Sequence, residues 1–123
     1  MKKQVSLDDI ERLRKQAELV QGTNIKIVTA VVSTDSIATA GAIVQEPDFI
    51  VHIYDGNKLT SAASDNIVID LREIAPEIGR ILGGSGGGKP KMTQCGGPKK
   101  DHAKEALEIA KKLTTQILSR KHR

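Results

Sequence analysis

The run Gly83-Gly84-Ser85-Gly86-Gly87-Gly88-Lys89-Pro90-Lys91-Met92-Thr93-Gln94-Cys95-Gly96-Gly97 constrains this chain more than any other stretch. It holds seven of the eleven glycines. Glycine has no Cβ, tolerates positive φ, and loses more backbone freedom on folding than any other residue. Clustering it serves close backbone approach, unusual dihedrals or flexibility. A flexible linker would stay Gly/Ser-rich and uncharged, whereas this run turns into Lys-Pro-Lys-Met-Thr-Gln. It lies between two helical patterns, so it reads as a shaped surface loop with exposed N–H groups, followed by cations. On glycine count alone, an anion-binding concavity and a bare loop tip are equally good readings.

Gly83 to Lys89 fits most of the G-x-x-x-x-G-K phosphate-loop pattern. Pro90 then stands where a Ser or Thr hydroxyl would hold Mg²⁺, and it has no N–H to offer a phosphate. Such a loop also follows a strand and opens a helix; here a helix precedes it. A nucleoside triphosphatase is therefore disfavoured, and so is a dinucleotide fold, because no G-x-G-x-x-G opens a helix after a strand.

The order Gly-Gly-x-Gly-Gly-Gly-Lys-Pro-x-Met-x-Gln-x-Gly-Gly, from Gly83 to Gly97, resembles the signature of the C-terminal DHH-associated domain of alanyl-tRNA synthetases. Phosphoesterases of the DHH superfamily share that domain. In those enzymes His usually follows the triple glycine, so Lys89-Pro90 is closer to the synthetase branch. Cys95 departs from the small Ala or Gly that synthetases often carry there; a thiol is nearly as small. The resemblance covers the chain from about Asn24 onward.

One domain's worth of residues, 123, with 38% hydrophobic content, suffices for a modest core. Aromatics are only 2%, so that core must be Ile, Val, Leu and Ala. The formal charge of +4 is uneven: residues 89–123 hold ten Lys/Arg and three Asp/Glu, residues 1–88 nine and twelve. The basic end begins at the glycine run and suggests a polyanionic partner; the terminal Arg120-Lys121-His122-Arg123 also fits a solvated tail. A single cysteine forms no internal disulfide, which fits a reducing, cytoplasmic setting. No apolar run approaches the roughly 20 residues of a membrane span, and Met1-Lys2-Lys3-Gln4 lacks the apolar stretch of a signal peptide.

Along the chain, Ser6 and Asp9 form a capping box for a helix carrying Leu7, Ile10, Leu13, Ala17 and Val20, ended by Gly22. Residues 1–22 are thus an N-terminal helix, a packing element or a remnant of a preceding helical segment, and 23–123 the domain proper. Ile25–Val32 reads as a buried strand. Ser33 or Thr34 caps a helix from about Asp35 to Gln45. Phe49–Tyr54 and Lys58–Ser64 are strands about the turn Asp55-Gly56-Asn57, and the small Ser and Ala of the second suggest an edge or a closely approached surface. The strand–helix–strand unit should be parallel with a right-handed crossover. A helix runs from Asp70 to Leu82 with Pro76 kinking or restarting it. Met92–Cys95 is a short strand. Asp101 caps a last helix to about Arg120, with Ala103, Ala106, Leu107, Ala110, Leu113 and Ile117 inward. The expected fold is a single α/β domain, order α-β-α-β-β-α-(Gly loop)-β-α, with a small, mostly parallel or mixed sheet flanked by helices.

No catalytic set emerges. Asp101-His102 is followed by Ala103, not by the second His of the metal motif that names the DHH enzymes. His52, His102, His122 and Cys95 lack ligand spacing, so no metal site is expected. His52 reads as a half-buried structural residue and Cys95 as packing rather than nucleophile. With so few aromatics, base stacking cannot dominate, and phosphate contacts would. The resemblance implies tRNA, in particular tRNA(Ala), as partner, support of aminoacylation and editing, and a contribution to homodimerisation. The expected contacts are Gly83, Gly84, Ser85, Gly86, Gly87, Gly88, Lys89, Lys91, Gln94, Gly96, Gly97, Lys99 and Lys100. By the same resemblance no cofactor sits in this chain; ATP, Mg and Zn would belong to other domains of a parent ligase. The alternatives are the substrate-binding half of a DHH phosphoesterase and a module for dimerisation alone.

Overall fold

A computed structural model describes residues 4–121; the readings made on Met1–Lys3, His122 and Arg123 lie outside them. Six strands form one mixed sheet, β1 (Glu18–Leu19), β2 (Lys26–Val31), β3 (Phe49–Tyr54), β4 (Lys58–Ala63), β5 (Ser85–Lys89) and β6 (Met92–Gly96), in the spatial order β1-β2-β3-β4-β6-β5. Only β2 and β3 are parallel, joined through α2 (Ser36–Ile43). The other pairs are antiparallel.

Alternation along the strands sends successive side chains to opposite faces, and each face meets its own helices. On one face Val28, Val51, Ile53 and Ala62 pack with Ile10 and Leu13 of α1 (Leu7–Lys15) and Ala40 and Ile43 of α2. On the other, Ile50, Leu59, Ala63 and Cys95 pack with Ile78 of α3 (Ala75–Ile81) and Ala106, Leu107 and Ala110 of α4 (Ala103–Lys121). The result is an α/β/α sandwich whose aliphatic core follows from the composition.

The Ser6–Asp9 capping box forms as expected, with Ser6 Oγ accepting from Asp9 N at 3.1 Å and Asp9 accepting from Ser6 N at 3.4 Å. These bonds hold the Asp9 carboxyl below its ordinary pKa. The helix stops at Lys15, not at Gly22. Residues 18–19 pair instead with β2, and Val20 crosses to the α3/α4 core, which a single helix could not reach. Arg14 then donates to the carbonyls of Ala42 (2.8 Å) and Ile43 (3.1 Å), covering the negative C-terminal end of α2.

The cap of α2 is Asp35, accepting from Ile37 N and Ala38 N, rather than Ser33 or Thr34. Thr34 turns inward onto Thr39, 2.6 Å away. The strand β4 is not an edge: β3 and β6 flank it, and its small residues let helices approach both faces. The helix expected over 70–82 divides into a 3₁₀ turn, Leu71–Glu73, and α3, with Pro76 in the first turn of α3, where a missing N–H costs nothing. Asp101 does not cap α4; it lies inside a 3₁₀ turn, Lys100–His102, that leads into it.

Candidate nucleic-acid interface

The glycine run is not a loop. Residues 85–89 and 92–96 form a β-hairpin, with β5 at the edge of the sheet, and Pro90 and Lys91 make its tip. A strand of Ser-Gly-Gly-Gly-Lys was hidden from propensity because glycine disfavours strands. What the pattern encodes is contact. A Cβ on Gly79 of α3 would lie 2.6 Å from Gly86 N and from Ser85 O. One on Gly86 would lie 2.5 Å from Cys95 Sγ, and one on Gly84 2.8 Å from Gly97 Cα. The glycines on the α3 side are therefore spent on bringing helix and hairpin backbone together. Gly83, at φ +81°, turns the chain out of α3.

The opposite face of the hairpin is different. Gly87 has nothing within 4 Å of the place its Cβ would occupy. It is in register with the exposed Gln94, which in turn faces Thr60 of β4. Met92, in register with Lys89, is the last side chain on this face that packs against the α1/α2 core. Beyond it lies a bare shelf of Gly87, Gln94, Ser85 and Gly96. On its outer edge β5 carries backbone groups that no neighbouring strand pairs.

The expected cations divide. Lys89 is exposed at the tip. Lys91 is only half-exposed, and its ammonium donates to the carbonyls of Ser64 (3.3 Å), Asp65 (3.2 Å) and Ile67. It ties the tip to the loop after β4 through these three carbonyls. Lys99 and Lys100 stand at the other end of β6. With a rise of about 3.4 Å per residue, the five residues of β6 separate the two groups by roughly 15 Å. Lys99 lays its stem beside Gly83, and Lys100 Nζ donates to Asn57 Oδ1 at 3.3 Å. That contact brings in Lys58, which the sequence reading missed; no local spacing relates residue 58 to residue 100.

The role of Lys91 is testable. Lys91→Met leaves three carbonyls without their charged donor and should cost about 2 kcal/mol in urea unfolding, with RNA retention unchanged. Lys89→Met should stay within about 0.5 kcal/mol.

His52 is fully buried rather than half-buried. Its Nδ1 is 2.7 Å from Ser61 Oγ and its Nε2 3.3 Å from Thr114 Oγ1, and burial pushes its pKa down to about 3. Cys95 is buried, donates to Ala75 O at 3.3 Å, and its thiol is pushed up to about 11 by burial. A thiol held protonated in the core is a packing group. Among the described residues no three His, Cys, Asp or Glu converge as metal ligands, and no helix is long and apolar enough to cross a membrane.

The α/β/α sandwich with its glycine-rich hairpin falls in the DHHA1 domain family. The model of that family matches residues 21–116, and the chain belongs to it. Within the family the chain is similar to alanine–tRNA ligases. That of Methanococcoides burtonii is 28% identical over 97% of this chain, and the chain spans 14% of that ligase's length. The C-Ala domain of alanyl-tRNA synthetase from Aquifex aeolicus superposes with a TM-score of 0.61 at 25% identity, covering 84% of this chain and 97% of that one. A DHH-domain protein described as belonging to a family of ribosomal proteins shares the fold, with a TM-score of 0.60 at 16% identity over 88% of this chain and 30% of that one.

Proposed function

We propose that this domain binds tRNA as the C-terminal module of an alanine–tRNA ligase or a close relative, supporting aminoacylation and editing of tRNA(Ala). A cytoplasmic setting and a homodimeric parent belong to the same proposal. The observation that carries it is the bare face of the β5–β6 hairpin. The α3 side of the glycine run is accounted for by packing, whereas Gly87 opens onto solvent with nothing near it. Backbone amides and the Gln94 amide are the groups this face can offer to phosphate and ribose oxygens, with cations at its ends. Phosphate contacts of this kind give weak sequence preference and strong salt dependence.

Gel retardation of tRNA(Ala) by the chain, beside short single-stranded oligonucleotides and cyclic dinucleotides, tests this reading. Retardation of tRNA at roughly 1–10 µM protein and low salt is expected. Retention of the cyclic dinucleotide or short strand without tRNA would favour a phosphoesterase half instead.

A further inference from the structure

We infer that the bare hairpin shelf is read by a phosphodiester backbone held at both ends, with Lys58 and Lys100 as its second cationic station opposite Lys89. This deepens the tRNA reading and rests on it. Lys58 is in register with Gly96 of β6, and Lys89 with Met92. Since partners in register point to one face, Lys58, Gly96, Gln94, Gly87 and Lys89 share the side of the hairpin that α2 leaves uncovered. The rows of Lys58 and Lys89 are four residues apart, or about 13 Å along the strands.

Asp55 is buried, accepting from Asn57 N and Lys58 N through Oδ1 and from Ser36 N through Oδ2, each at 3.0 Å. It braces the turn that presents Lys58. Among the described residues, Lys58, Lys89 and Lys100 make no ion pair, whereas Arg72, Arg80, Lys111 and Arg120 all do. Asn57 Oδ1 orients Lys100 toward the same corner. Two separated ammonium stations joined by a low floor of Gly87, Gln94 and Gly96 suit a chain whose charges repeat along its length. A single small anion would occupy only one of them.

The dependence of RNA affinity on salt between 50 and 200 mM reads this directly, using the full chain and tRNA. The wild type is compared with Lys58→Gln/Lys100→Gln, with Lys89→Gln, and with Lys111→Gln, which sits in an ion pair with Glu18 on β1. The double variant should flatten the slope of log affinity against log salt by about 2, Lys89→Gln by about 1, and Lys111→Gln not at all. At the lower salt the double variant should bind on the order of tenfold more weakly. Unchanged circular dichroism and urea midpoints establish that the substitutions leave the fold intact. A wild type that binds RNA with a slope the double variant leaves unchanged overturns the second station alone. A wild type that retains no RNA overturns the tRNA reading and the station with it. Polyglutamate competing as well as RNA at equal charge overturns the phosphodiester assignment.

Discussion

Replacing Gly79 with alanine is expected to destabilise the domain by about 3 kcal/mol, against the ordinary rule for helices. In an exposed helix interior this substitution gains up to about 1 kcal/mol, because alanine has the best helix propensity and glycine nearly the worst. Gly79 sits mid-helix in α3, but its missing Cβ is the space into which the hairpin backbone fits, with Gly86 N and Ser85 O 2.6 Å from where it would stand. Those atoms are main chain in a paired strand and cannot rotate away. The helix or the whole hairpin must shift, and overpacking of this kind costs about 1–3 kcal/mol and at times more. Gly87→Ala, in open space two strand positions beyond Ser85, should change stability by less than about 1 kcal/mol. Urea unfolding of both variants checks the pair. A Gly79→Ala protein as stable as the wild type would mean that helix and hairpin are not packed as described.

The second large effect is pH-dependent and comes from His52. Its folded pKa of about 3 lies below the unfolded value of 6.5, so the unfolded chain binds the extra proton as pH falls. Stability from this residue is therefore complete above about pH 6.5 and is lost progressively toward pH 3. At about 1.4 kcal/mol per pH unit, lowering the pH from 6.5 to 4.5 should cost roughly 2.5 kcal/mol. Carboxylates lose their charge mostly below that window, so the imidazole dominates it. His52→Asn keeps a polar group near Ser61 but cannot titrate. It should be less stable at neutral pH and show a flattened profile between pH 4.5 and 6.5. Equal slopes in the two proteins would remove His52 from the account.

Much of this architecture was legible beforehand, because the informative elements are local. The Ser6–Asp9 cap, the β-branched run of β2, the turn at Asp55–Lys58 and the inward stripe of α4 each carry their signal within a few residues. The misreadings share a different cause. β5 has a composition that argues against a strand, and only its docking on α3 makes glycine the right residue there. Val20 looked like the last turn of a helix, and the pairing of residues 18–19 with β2 moved it to the other core. Lys91 reads as one more surface cation until the loop after β4 folds over it. Lys58 and Lys100, far apart in the chain, become neighbours only through the β3–β4 turn meeting the end of β6. Long-range register, absent from any local window, decides which of the basic residues share a face.

The most direct test of the tRNA-binding surface is a titration of the 13.3 kDa chain with tRNA followed residue by residue through its amide NMR signals. The largest shifts are expected on Gly87, Lys89, Gln94, Gly96, Lys58 and Lys100, with α1 and the concavity lined by Glu73, Ile74, Leu113 and Gln116 undisturbed. Shifts confined to α1 or to that concavity, or none at RNA excess in low salt, would contradict it.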